Sequence, residues 1–96
     1  MTTYAHIEME IVRWAESKKL IPQSSPATQL QDVYTHLEKL AAATLSKDKE
    51  DVIFSVGDVM AHLIVYCVLQ DINLVNCMNE AFTHKKPTKK ISLVKK

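Results

Sequence analysis

Apolar side chains recur at helical spacing in four separate stretches of this 96-residue chain. Ile7, Ile11, Trp14 and Ala15 fall at i, i+4, i+7 and i+8, which predicts a first helix over 4–18 with Trp14 buried. KLIPQSSP interrupts the pattern. Ser25 ahead of Pro26 then reads as an N-cap followed by a proline at the first helical position, where the missing N–H does no harm. Leu30, Val33, Tyr34, Leu37, Leu40, Ala41 and Thr44 trace a mostly apolar stripe, predicting a second helix to about Leu45 with that stripe inward. SKDKED makes the next connection, with Ser46 or Asp48 as cap and acids placed where the helix dipole favours them.

The third helix is predicted from about Glu50 to Gln70. Its second half, MAHLIVYCVL, is apolar nearly all round, the mark of a helix covered on several sides. DIN turns the chain, with Asn73 as cap, into a short fourth helix whose face carries Leu74, Cys77, Met78, Ala81 and Phe82. HKKPTKKISLVKK closes the sequence with Pro87 as a breaker. The expectation is therefore an all-α domain of four helices over 1–84 and a basic tail over 85–96. Three short partners cannot easily cover a long helix that is apolar all round, so a homodimer, or a tetramer built from dimers, is expected to complete the bundle; the alternative is an intramolecular bundle that exposes some apolar surface.

Composition fits this outline. With 47% hydrophobic and 24% charged residues the chain is of folded rather than disordered type, and one glycine and three prolines leave few turn residues for many short strands. The net charge of +1 hides an uneven distribution. Residues 1–83 hold eleven acids against six bases, a net −5, while Lys85, Lys86, Lys89, Lys90, Lys95 and Lys96 give +6 with no acid beside them. Such a tail suits anion binding or charge-complementary association, but the sequence alone favours a solvated, solubilising end. Cys67 and Cys77 have no metal or redox spacing and lie at apolar positions, as free thiols in a reduced compartment do. The N-terminus lacks a basic n-region, and the longest uninterrupted apolar run, Leu63 to Leu69, is too short to span a membrane. A cytoplasmic protein without membrane association is expected.

FSVGDVMAHLIVY poses the main chemical question, because Gly57 and Asp58 both interrupt an apolar helix. A helix-interior glycine costs up to about 1 kcal/mol relative to alanine, and a buried ionised acid costs more. The order of segments suggests an origin. WAESKKLIP, SPATQLQDVYTHLEKLAAA, SVGDVMAHLIVY, DINL, NCMNEAF and the lysine-rich end together resemble the MazG-like all-α nucleoside triphosphate pyrophosphohydrolases, from about Ile11 to Lys90. In that family the second helix carries Glu-Glu-x-x-Glu and the third Glu-x-x-Asp. Acids at i and i+3 share a helical face, and two facing helices bring four carboxylates onto Mg²⁺, a hard ion that takes oxygen ligands. The metals hold the triphosphate and activate the water that releases pyrophosphate.

Aligned through Leu40 and Ala41, the resemblance places the first motif on Thr35, His36 and Lys39 and the second on Ser55 and Asp58. Only Asp58 keeps the family's acid. Sliding the second helix by one residue would bring in Glu38, but turns it by about 100° and takes Leu37 and Leu40 out of the expected core. The resemblance thus implies a retained scaffold with a degenerate metal site, hence a non-catalytic nucleotide- or protein-binding member with no cofactor. The alternative is an active NTP pyrophosphohydrolase, Mg²⁺-dependent or using an unusual metal set of Asp58, His36, His62 and Glu38 or Glu50.

Each candidate has a structural counterpart. Asp58 either contributes to a cation or ligand site, or is paired with Lys39 or hydrogen-bonded to His36 across the helix interface. His62, at i+4 from Asp58, joins His36 and Asp58 as a possible transition-metal set or is a hydrogen-bonded core histidine. Ser55, His36 and Asp58 match a hydrolytic triad in composition, but a helix-borne serine has no evident oxyanion hole. Trp14 and Tyr34 are either base-stacking residues or core. Lys85, Lys86, Lys89 and Lys90 resemble the family's basic phosphate-approaching segment. An acidic body and a basic tract without interleaved aromatics argue against nucleic acid as the partner.

Overall fold

The computed structural model describes residues 3–85, which form four α-helices in one domain: α1 Tyr4–Ser17, α2 Pro26–Ser46, α3 Lys49–Leu69 and α4 Leu74–Lys85. Among the described residues there is no strand. Local chemistry sets the helix ends. Thr3, Ser25 and Asp48 are extended residues whose side chains accept backbone N–H groups of the first turns of α1, α2 and α3, and Asn73 Oδ1 accepts from Asn76 N–H at 3.1 Å to open α4. Of the two caps expected before the third helix, Asp48 is the one used. Lys47, at φ 61°, ends α2 in the left-handed conformation, and with Asp48 makes a two-residue turn between two 21-residue helices.

The central helix is α3. The second helix folds back along it as a hairpin, α1 packs on it, and α4 touches it across the DIN turn. Ile64, Cys67 and Leu74 form the buried cluster, with Ile11, Val12, Met60 and Tyr66 packed around it. As a whole, α3 is long and apolar enough to cross a membrane, a property that the short run Leu63–Leu69 understates.

Which faces are buried departs from the expectation. The inward side of α2 is Gln29, Val33, His36, Leu40 and Ala43, a stripe one residue out of phase with the apolar one, so the helix is turned by about 100°. Leu30, Tyr34, Leu37 and Ala41 are exposed instead, and Leu45 is 84% exposed. Trp14, expected in the core, is 41% exposed, and the position beside it, Ala15, is fully buried. Ile53, Phe54 and Val56 on the N-terminal half of α3 face outward, and of the predicted face of α4 only Leu74 is buried, with Cys77 half-buried. Within one chain, the bundle keeps Val33 and Leu40 of the apolar stripe inward beside Gln29 and His36, and leaves Leu30, Tyr34, Leu37 and Ala41 bare.

Candidate functional site

The polar face of α2 is tolerable because Gln29 finds hydrogen-bond partners and His36 stacks on a ring of α3. Gln29 is 0% exposed, and a buried amide without partners would cost several kcal/mol. Its Nε2 donates to Ser24 Oγ at 3.2 Å and to Asp32 Oδ2 at 3.4 Å, and its Oε1 lies 3.4 Å from His62 Nδ1 on α3. A carboxylate only accepts, so the Asp32 contact fixes the amide orientation. Oε1 then faces His62, and His62 carries its proton on Nδ1.

The imidazoles of His62 and His36 stack across the α2–α3 interface, with centroids 4.3 Å apart and planes 18° from parallel. Trp14 of α1 meets His62 edge-on, at 6.0 Å and 87°. Burial lowers the pKa of His62, the neighbouring His36 lowers it further, and Asp32 and Asp58 oppose the shift. Neutral imidazole is therefore the form that this position favours. His36 Nδ1 is buried and has no hydrogen-bond partner; the nearest carboxylate oxygen, Asp58 Oδ2, stands 3.8 Å away on a side chain that is mostly exposed. That distance is beyond a hydrogen bond, but short enough for an ion pair whenever His36 is protonated.

Of the two internal arrangements expected for Asp58, neither is made: its carboxylate approaches His36 Nδ1 without a hydrogen bond. Lys39 makes no ion pair with Asp58; it lies with Ala42, Ala43, Ser46, Asp51 and Ser55 along an open groove of about 430 Å³ on the flank of the hairpin. Thr35 Oγ1 is turned back on its own helix, donating to the Gln31 carbonyl at 3.2 Å. Glu38, two residues on from His36, is rotated about 200° around α2 and lies on the side away from α3. Lys85 ends α4, in its last turn, while Lys86, Lys89 and Lys90 lie outside the described residues.

The donor set does not fit Mg²⁺. Among Thr35, His36, Lys39, Ser55 and Asp58 there is one carboxylate, one cation and one aromatic nitrogen base, against the several oxygen ligands that this ion takes. The rings of His36 and His62 lie nearly parallel, so their in-plane lone pairs run side by side instead of converging. Among the described residues, no group of three or more His, Cys, Asp or Glu side chains is arranged to hold a metal ion. Ser55 and Lys39 border the flanking groove, and His36 stacks on His62, so Ser55, His36 and Asp58 show no relay from acid through base to nucleophile.

Reading the residues alone brought His36, His62 and Asp58 to one interface but missed Gln29, Asp32 and Ser24. A signal was present: Gln29, Val33, His36, Leu40 and Ala43 keep i, i+4, i+7, i+11 and i+14 spacing, and two of them are polar. No known protein family, curated protein or solved structure matches this chain.

Proposed function

We propose that this chain is a non-catalytic helical binding protein, a degenerate relative of the MazG-like NTP pyrophosphohydrolases, that works through the outer faces of α2 and of the N-terminal half of α3. Its partner is another protein surface, in the first place a second copy of the same chain. The observation that carries this reading is the rotated burial of α2. Leu30, Tyr34, Leu37 and Leu45 point outward while Gln29 and His36 point inward, and Phe54 on α3 is 68% exposed. An apolar face of this extent on a small domain marks an interaction surface.

Gly57 supports the same reading. A Cβ built on it meets nothing within 4 Å, so packing inside one chain does not call for glycine there. It sits among Ile53, Phe54 and Ala61 at helical spacing, where the absence of a side chain lets a second helix approach the backbone. The chemistry at the family's metal positions points away from catalysis, for the reasons given by their donor set.

Two measurements test the proposal. Sedimentation equilibrium of the full chain is expected to give a dimer or tetramer, and Leu37→Glu or Phe54→Glu is expected to shift it to monomer while retaining helicity. Calorimetric titration of Mg²⁺ and Mn²⁺, with and without a non-hydrolysable nucleoside triphosphate, is expected to give no metal-dependent nucleotide binding. The rival reading, an active pyrophosphohydrolase built on Asp58, His36, His62 and Glu50, draws on the unpartnered His36 nitrogen beside Asp58. Metal-dependent binding followed by pyrophosphate release would replace the proposal with that reading.

A further inference from the structure

Outside the histidine cluster, the fold brings together two nucleophilic side chains that lie ten positions apart in sequence. Cys67 is in the last turns of α3 and Cys77 is on the second turn of α4. The DIN turn between them is pinned at both ends: Ile72 N–H donates to the Cys67 carbonyl at 2.9 Å, and Cys77 N–H donates to the Asn73 carbonyl at 2.9 Å. Leu74, one helical turn before Cys77, is buried against Cys67 and Ile64. With the turn so pinned and Leu74 seated on Cys67, Cys77 comes beside the Cys67 thiol, close enough to push its pKa up. Both are free thiols.

Their surroundings differ in a way that assigns roles. Cys67 is buried in the core cluster, whereas Cys77 is half-buried and borders an open groove of about 520 Å³ with Asp71, Ile72, Asn73, Asn76 and Glu80. A small disulfide in solution therefore reaches Cys77 and not Cys67. Burial pushes the Cys67 thiol up, and the adjacent Cys77 adds to the effect, so Cys67 stays protonated at neutral pH. It suits the second step of an exchange, in which the target sulfur is already within reach.

We infer that Cys67 and Cys77 form a dithiol–disulfide site that clasps α4 to α3 on exchange with a small-molecule disulfide such as oxidised glutathione. The Cys77 thiol loses its proton to solvent, and the thiolate attacks one glutathione sulfur. The glutathione disulfide bond breaks, one glutathione thiolate leaves and is protonated, and a mixed disulfide remains on Cys77. Cys67 then loses its proton and attacks the Cys77 sulfur, displacing the second glutathione thiolate. Two protein thiols are oxidised to one disulfide, and one glutathione disulfide is reduced to two thiols. The site is independent of the surface proposed for protein binding. Its effect falls on α4, whose one buried residue is Leu74.

The test is mass spectrometry of the folded full chain in an oxidised/reduced glutathione buffer, quenched with an alkylating reagent at intervals. The expected end product is a chain lighter by two hydrogen atoms, with a peptide linking Cys67 to Cys77. The adduct trapped at early times is expected on Cys77, and resolution is expected to quicken as pH rises. In Cys67→Ser the adduct on Cys77 should persist, and in Cys77→Ser Cys67 should remain unmodified. The disulfide closes a loop of about ten residues, so the melting temperature should rise by roughly 10 °C. An adduct that forms first on Cys67, one that persists on wild-type Cys77, a disulfide between chains, or two thiols that stay reduced would each overturn the inference. The wild-type time course decides even if a serine variant does not fold.

Discussion

Replacing Gln29 with alanine removes the one buried polar side chain that joins the 18–25 connection, α2 and α3. One methylene group leaves a close-packed site with the amide, at about 0.8 kcal/mol. The His62 Nδ1–H loses its acceptor while the ring stays pinned between His36 and Trp14, and an unsatisfied buried donor costs about 1–3 kcal/mol. Ser24 and Asp32 are half-buried and can turn to water, so they add little. The sum is about 2–4 kcal/mol, a large share of the stability usual for a domain of this size. The expected fall in melting temperature is about 10–25 °C, read by far-UV circular dichroism at fixed protein concentration. Gln31→Ala, two residues along on the exposed side, is the control and should stay within about 0.5 kcal/mol of wild type. A double-mutant cycle with His62→Ala should show the pair to be coupled by about 1 kcal/mol, because the second deletion finds the hydrogen bond already gone. If Gln29→Ala melts where Gln31→Ala does, the buried amide carries no stability and the account of α2's polar face is wrong.

Further tests follow from other positions. Gly57→Ala should stabilise the isolated chain by about 0.5–1 kcal/mol, since the added methyl meets open space in a helix, and should weaken self-association in sedimentation equilibrium. Lys47→Gly should raise the urea midpoint by an amount corresponding to about 0.5–1 kcal/mol, because glycine takes the left-handed φ of 61° without the side-chain clash. The depressed pKa of His62 means that the unfolded chain binds the extra proton more readily. Stability should therefore be level above the unfolded value of 6.5 and fall as pH drops from there through the folded pKa. Urea melts across that range should show this slope reduced in His62→Gln; an unchanged slope would assign the effect to other groups.

Helix ends were legible because capping is local chemistry: Ser25–Pro26, Asp48 and Asn73 each announce a start within four residues of sequence, and each acts as read. Burial was not, because it is decided between helices. Spacing alone places the apolar stripe of α2 inward, as if apolar area always took the nearest partner. In the fold, Gln29 and His36 satisfy or stack on groups of α3, which lets the helix turn its other face outward. Trp14 shows the same limit at the scale of one residue: its spacing places it near the core, but Ala15 takes the close contact and the indole lies on the surface against His62. The meeting of His36, His62 and Asp58 could be foreseen from an i+4 pair and a facing helix, whereas the stacking of the rings depends on side-chain angles that no spacing encodes. The nearness of Cys67 to Cys77 escaped for a related reason, since a ten-residue separation acquires meaning only once the turn between them is folded.

The two-residue link at Lys47 and Asp48 also bears on how chains exchange parts. Two 21-residue helices meet there, and only these two backbone settings separate the hairpin from one continuous rod. With both residues helical the rod would be about 65 Å long. Lys47 on its own favours that change, since the left-handed setting costs a non-glycine residue about 1–2 kcal/mol. What holds the hairpin shut is the contact between α2 and α3, and an identical chain opened in the same way offers the same contact. At high protein concentration the hinge thus gives a route to swapped pairs, in which α2 of one molecule lies along α3 of another and the Gln29–His62 hydrogen bond is re-formed between chains.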